Sequence, residues 1–274
     1  MPSPYPVLPI FYSQSSFRSL FTFDTGKNVE KDGPPSVINV CLAAGIKDVF
    51  HVSTSFYDFM QAWKACSDNG LHYHFGLEIL MCADTSIHDD ASRKTEHKII
   101  IFAKNQRGQD QLKRIFSAWR TCVDNKYYVY RFDWKKLKPL WTDDLMLVYP
   151  FFDSAIGRNT MVYDANIVPE PPVKPVLFKE IHSDIPFAGE IERSIDLFNS
   201  DNSHEVVHVK TIYYETKADF LAYNTLRAIH NGTTFNRPGI DWFCSDTFSF
   251  EEWRNLVEGV SAGATNVKTG GVTA

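Results

Sequence analysis

No apolar run in this 274-residue chain approaches the ~18 residues that a membrane-spanning helix needs. The opening stretch MPSPYPVLPIFYSQ has neither the basic start nor the small-residue cleavage site of a signal peptide. A cytoplasmic protein with no membrane partner is therefore expected. Cysteine is scarce and scattered, at 41, 66, 82, 122 and 244, with no Cys-x-x-Cys pair. That spacing excludes a thiolate zinc site and points to reduced thiols. Positive charge is not in excess either: 28 Lys and Arg stand against 33 Asp and Glu, a net charge of −5. A chain that holds DNA alone usually presents a basic face, because phosphate contacts supply most non-specific affinity. Contact with DNA is expected only through an assembly. Neither phosphate-cradling pattern, GxxxxGK[ST] or GxGxxG, occurs, and there is no internal repeat or low-complexity linker.

What the chain has in quantity is aromatic residues, 21 Phe and 12 Tyr, which predict a core of large rings. Period-2 and period-3.6 patterns alternate along it. Strands are predicted over 11–17, 47–55, 71–80, 97–105, 145–151 and 205–214. Helices are predicted over 34–45, 56–70, 106–122, 190–200 and 217–232, two of them closed by Gly45 and Gly232. Strand–helix alternation implies parallel strands with crossover helices, and at this length an α/β barrel is the natural closure. The barrel domain is expected to span 1–258. The small, polar segment 259–274 reads as a loosely ordered tail, and the Pro-rich stretch 166–176 as an extended loop. Functional groups of such barrels sit at the C-terminal strand ends, here 12–14, 53–55, 78–82, 151–153 and 211–214. Those ends carry little metal chemistry. Glu78 is one good carboxylate, and His97 begins its strand rather than ending it.

GLHYHFGLEI followed by HKIIIFAKNQRGQDQLKRIFS resembles the N-terminal PHP (polymerase and histidinol phosphatase) domain of bacterial C-family DNA polymerase III α subunits. YSQSSFRSL, DVFHVSTSFYDFMQAWKAC, KYYVYRFDWKKL, VVHVKTIYYETKADFLAYNTLRAIHNGTTF and WFCSDTFSFEEW fit other segments of that family in the same order. The similarity runs from about residue 8 to 258, and the ordered series carries it rather than any one motif. The resemblance implies a distorted seven-stranded TIM-like (β/α) barrel with a cluster of up to three metals. Its ligand positions fall on Tyr12, Gln14, Asp24, Thr54, Glu78, His97, Phe151, Thr211 and Tyr213. Of these, Tyr12, Gln14, Thr54, Phe151, Thr211 and Tyr213 are not ligands of the family's kind. Each metal needs ~4–6 donors, so no metal, no cofactor and no catalytic residue are expected.

The resemblance thus implies a catalytically silent domain that serves as a structural and docking module of a replicative polymerase. Its partners would be the polymerase core, as a separate chain or a continuation of this one, and a proofreading 3′–5′ exonuclease. A split or phage-encoded replicase fits the degenerate site, which would place the protein in the host cytoplasm. The alternative is a metal-dependent phosphoesterase or PHP-type 3′–5′ exonuclease with rearranged ligands, supported by Glu78, His97 and other histidines; the residual ligand candidates are Glu78, His97 and Asp24. With no ion to lose, Glu78→Gln is expected to change the melting temperature little.

Other residues read as structural. His72 and His74 share a strand face with Glu78 but lie roughly 20 and 13 Å from it by strand rise, too far to share an ion. His204 and His208 are separated in the same way. His88, Asp89, Asp90 and Glu96 read as a solvated loop, and Glu78 with His97 as a polar pair left in the barrel mouth. Lys104, Arg107, Lys113, Arg114 and Arg120 give one helix a basic, solvated face. Ser15, Ser16 and Ser53–Ser55 lack the paired His and Asp that would activate a nucleophile.

Overall fold

The computed structural model describes residues 5–14, 17–25, 33–126, 128–182, 184–234 and 245–268. In chain order its strands are β1 (Leu8–Phe11), β2 (Asp48–Ser53), β3 (His72–Met81), β4 (His97–Ala103), β5 (Val123–Asp124), β6 (Val129–Tyr130), β7 (Leu145–Tyr149), β8 (Val176–Glu180) and β9 (Val206–Ile212). The helices are α1 (Val37–Ala43), α2 (Phe59–Asp68), α3 (Asp90–Lys94), α4 (Gln106–Arg120), α5 (Trp134–Leu137), α6 (Ala155–Met161), α7 (Ala188–Phe198), α8 (Phe220–Asn231) and α9 (Phe250–Lys268). Seven strands close into a barrel in the order β1–β2–β3–β4–β7–β8–β9, with β9 returning to β1. β5 and β6 form a separate small ribbon.

The strand patterns explain the closure. Alternate residues such as Ile10, Phe50, Val52, Ile100, Phe102, Val148, Phe178 and Val209 point inward and pack on one another. The intervening residues, among them Leu77, Ile79, Ile99, Ile101 and Leu147, face the helices and meet Leu112 and Ile115 of α4 and Ile191 of α7. Each such side chain contributes about 1.5–3 kcal/mol by leaving water. α4 starts where the Asn105 side chain accepts from Gly108 N at 3.0 Å. α8 ends on Gly232 at φ 58°, a conformation glycine adopts without a Cβ clash.

Several expectations are corrected. The barrel is not all-parallel: β4 runs antiparallel to both β3 and β7. β3 and β4 are joined at one end by the segment 82–96, so no crossover helix is needed. That segment holds α3 and is not merely a polar loop. β1 lies three residues earlier than its predicted start, and β8 is a strand the periodicity reading passes over. The backbone of α9 continues to Lys268, well into the segment read as a loose tail. Among the described residues, no helix is long and apolar enough to cross a membrane.

Inside the barrel, Gly76 of β3 sits under the Phe102 ring, where an added Cβ would lie 2.7 Å from Phe102 Cζ and 2.8 Å from Ile100 Cγ2. Gly76→Ala should therefore lower unfolding free energy by about 1–3 kcal/mol through overpacking. Combining it with Phe102→Leu should cost less than the sum of the two changes, as measured by denaturant unfolding.

Candidate functional site

β1, β2, β3, β7, β8 and β9 present their C-terminal ends at one mouth of the barrel, and reversed β4 presents its N-terminal end there. Strand alternation carries Glu78, Lys98, Glu180 and Thr211 onto the inner face, with Tyr12 and Tyr213 just beyond β1 and β9. Asp153 comes from the turn after β7 and Arg18 from the loop after β1.

These groups make one charge-balanced network. Arg18 Nη1 donates to Glu78 Oε1 in a close ion pair. Tyr12 Oη donates to Glu78 Oε2 at 3.2 Å. Lys98 Nζ lies 3.7 Å from Glu78 Oε1 and donates to Asp153 Oδ2 at 2.7 Å. The Arg18 guanidinium also stands 4.6 Å above the Tyr12 ring. Tyr12 packs on Tyr213 at 5.4 Å, and Tyr213 stacks on Tyr223 at 5.2 Å. On the far side, Thr211 Oγ1 donates to Glu180 Oε1 at 2.6 Å, and His182 Nε2 lies 3.0 Å from Glu180 Oε2. The second His182 nitrogen faces Thr247 Oγ1 at 3.2 Å and Lys210 Nζ at 3.3 Å.

Burial alone would push Asp153 up, but the charge and hydrogen bond of Lys98, with the Arg18 and Arg158 charges, together hold the carboxyl below its usual range. Burial opposes ionisation of Glu180 too, and the His182 hydrogen bond and charge reverse the balance. Burial pulls Lys98 down, yet Asp153 and Glu78 together hold it above the ordinary lysine value. Burial, and then the Glu78 charge, keep the Tyr12 hydroxyl protonated. The Asp153–Lys98 pair and the Glu180 carboxylate are therefore held in their charged forms, and the Tyr12 hydroxyl in its neutral one.

A metal cluster does not fit this arrangement. Both Glu78 oxygens already accept from cationic or hydroxyl donors, and a second cation, Lys98, occupies the space between Glu78 and Asp153. Among the described residues no three His, Cys, Asp or Glu side chains are grouped to hold an ion.

Of the sequence-nominated residues, the structure brings Tyr12, Glu78, Thr211 and Tyr213 to the mouth. Phe151 is buried just outside it, packed against Phe152 at 4.8 Å. Gln14 and Asp24 line a separate cavity of about 350 Å3 with Ser13, Asp58 and Gln61. There Asp24 accepts from Thr22 at 2.8 Å and Gln61 at 2.6 Å, away from Glu78. Thr54 is half-buried after β2. The expected Glu78–His97 pair does not form. His97 shares the outer face of β4 with Ile99 and Ile101, its Nδ1 bonds Thr95 O at 3.0 Å, and its ring lies 6.4 Å from Trp134. The inward group at this end of β4 is its neighbour Lys98.

Other readings are refined in the same way. His72 and His74 both face Asp48, at 3.3 and 2.9 Å. The His88–Glu96 segment is solvated, with His88, Asp89 and Asp90 exposed, but it is also organised: buried Arg131 binds Asp124 and the Ile87 carbonyl, and His88 meets Asp124 at 3.0 Å. The basic helix α4 turns Leu112, Ile115 and Trp119 inward, while Arg120 lies 3.8 Å over the Tyr130 ring. Ser15, Ser16 and Cys244 lie outside the described residues. Arg18, Lys98, Glu180, His182 and Lys210 were not singled out by sequence. No local signal marks Lys98 and Glu180, because the parity of β4 depends on its register against β3 and β8 is a strand the periodicity reading passes over. A scan against models of known protein families finds no match, and a search of curated proteins finds none either.

The Glu78 expectation reverses. Its side chain is 4% exposed, and Glu78→Gln would leave the Arg18 charge without its partner. It should lower unfolding free energy by about 3–5 kcal/mol, with or without chelator. Burial also pulls His97 down to about 4, only partly offset by the Thr95 carbonyl. A histidine depressed below its unfolded pKa destabilises the fold as pH falls. The loss should begin near pH 6.5 and reach roughly 3 kcal/mol by the folded value. His97→Gln should flatten that part of a pH–stability curve.

Proposed function

We propose that this chain is a catalytically silent (β/α)7 barrel of the PHP type. It would act as a structural and docking module of a C-family replicative DNA polymerase. The ordered series of PHP-like segments supports this reading, as does the closed seven-stranded barrel, of which those segments supply β2, β3, β4 and β9. The observation that carries the loss of chemistry is the pairing of Glu78 with Arg18 and Lys98. Protein-borne cations neutralise the carboxylate that metals would otherwise use. A lysine and an arginine present N–H donors, not an exchangeable coordination position, so no water or phosphate oxygen is activated there.

A barrel that keeps its core while filling its mouth acts through its surface. The partner is the polymerase core, with a proofreading exonuclease as the second candidate. A stable subunit contact needs at least ~1,000 Å2 of buried surface. DNA would be reached through that assembly.

The purified chain should release no phosphate from phosphomonoesters and leave single-stranded 3′ ends intact with Mn2+ or Zn2+. Turnover that disappears in Glu78→Gln would establish the phosphoesterase alternative instead. Co-expressed with a polymerase core, the chain should co-elute on size exclusion at moderate salt. Its own DNA binding should be weak and fall steeply with salt.

A further inference from the structure

A cavity of about 550 Å3 lies on the outside of the barrel, bounded by β7, α6, α7 and the segment 167–175. Its size is that of a small-molecule site. The segment forming its outer wall is held in place at both ends. The Asn159 side chain accepts from Ile167 N at 2.8 Å and donates to Ile167 O at 2.9 Å. At the other end His204 Nδ1 bonds Pro175 O at 3.1 Å, and its ring packs on Phe198 at 4.9 Å. Between these anchors Pro169, Pro171 and Pro172 each fix a backbone φ. The wall is thus stiff, which lowers the ordering cost of binding.

The lining is apolar, with polarity only at its two extremes. Ile156, Ile167, Val168, Val173 and Phe198 form the walls, and Val168 remains 83% exposed. At the floor, buried Tyr149 has a hydroxyl with no hydrogen-bond partner among the described residues. At the rim stands exposed Lys174, whose ammonium makes no ion pair within 4 Å among the described residues and acts at longer range on the Asp201 carboxylate. The Asn159 amide is already engaged by Ile167, and His204 Nδ1 by Pro175. Hydrocarbon gains from replacing water against these walls, and the Lys174 ammonium at the opening favours an anionic polar head.

We propose that this cavity binds a small amphiphilic carboxylate, of medium-chain acyl or aryl type. The hydrocarbon lies against Ile156 and Phe198, and the acid group is at Lys174. The site is separate from the barrel mouth and independent of the docking reading.

The test is methyl NMR of the full chain titrated with octanoate, octanol and octylamine. Octanoate should give saturable shifts at Ile156, Ile167, Val168 and Val173. Octanol should shift the same methyls with about threefold weaker affinity, the difference an exposed ion pair supplies. Lys174→Gln, a rim change that leaves the core intact, should bring octanoate to the octanol level without altering octanol. Ile156→Phe should weaken both by about tenfold or more by filling the cavity. Octanoate shifts that fail to saturate, or that fall on exposed Met60 of α2 instead, would overturn the site. Octylamine binding as tightly as octanoate would overturn the assignment of an anionic head.

Discussion

The ion pair between Arg18 and Glu78 is the constraint on which the mouth of this barrel depends. Glu78 is part of a strand buried on both faces, where an ionised carboxylate without a partner would cost several kcal/mol. Arg18 answers that charge from a loop 60 residues earlier in the chain. Tyr12 supplies the second donor, and Lys98 links Glu78 to Asp153. Once these five side chains are in place, the rings of Tyr213, Tyr223 and Phe248 can close over them without stranding a charge. The aromatic plug and the salt-bridge network are therefore two parts of one solution. The rings remove water, and the paired charges make that removal tolerable.

The same physics sets the chemical character of the site. Metal-dependent hydrolysis needs carboxylates and imidazoles whose lone pairs are free to coordinate, and open positions for water and substrate. Here the lone pairs are spent on N–H and O–H donors. Across the mouth, Glu180 is likewise bound by Thr211 and His182. On the proposed reading, these paired groups seal the barrel core instead of forming a reaction centre. The same reading assigns contact with other molecules to the outer surface, which includes the proline-walled cavity by α6 and α7.

Much of this was legible in the sequence. The continuous apolar run 97–105 reads as a strand buried on both faces, and β4 is one. Tyr12 and Tyr213 were marked as replacements at strand ends, and they do meet in the mouth. Direction was not legible, because alternation in HKIIIFA is the same whether β4 runs parallel or antiparallel. Nor was parity: which of His97 and Lys98 points inward follows from the register of β4 against β3, where His97 pairs with Met81. β8 was missed because VLFKE is short, follows a proline-rich stretch, and ends in two charges that look solvated. Arg18 could not be matched to Glu78 by any local pattern, since their contact exists only after the barrel closes.

The most direct measurement is a double-mutant cycle on Arg18 and Glu78, using Arg18→Met and Glu78→Gln, with unfolding free energy read in the presence and absence of EDTA. If the pair stabilises the mouth as an internal substitute for metal, the double variant should be more stable than the sum of the single losses predicts, by several kcal/mol. EDTA should change none of the four values. Additive losses, or a parent protein that EDTA destabilises and Mn2+ or Zn2+ restores, would contradict the account.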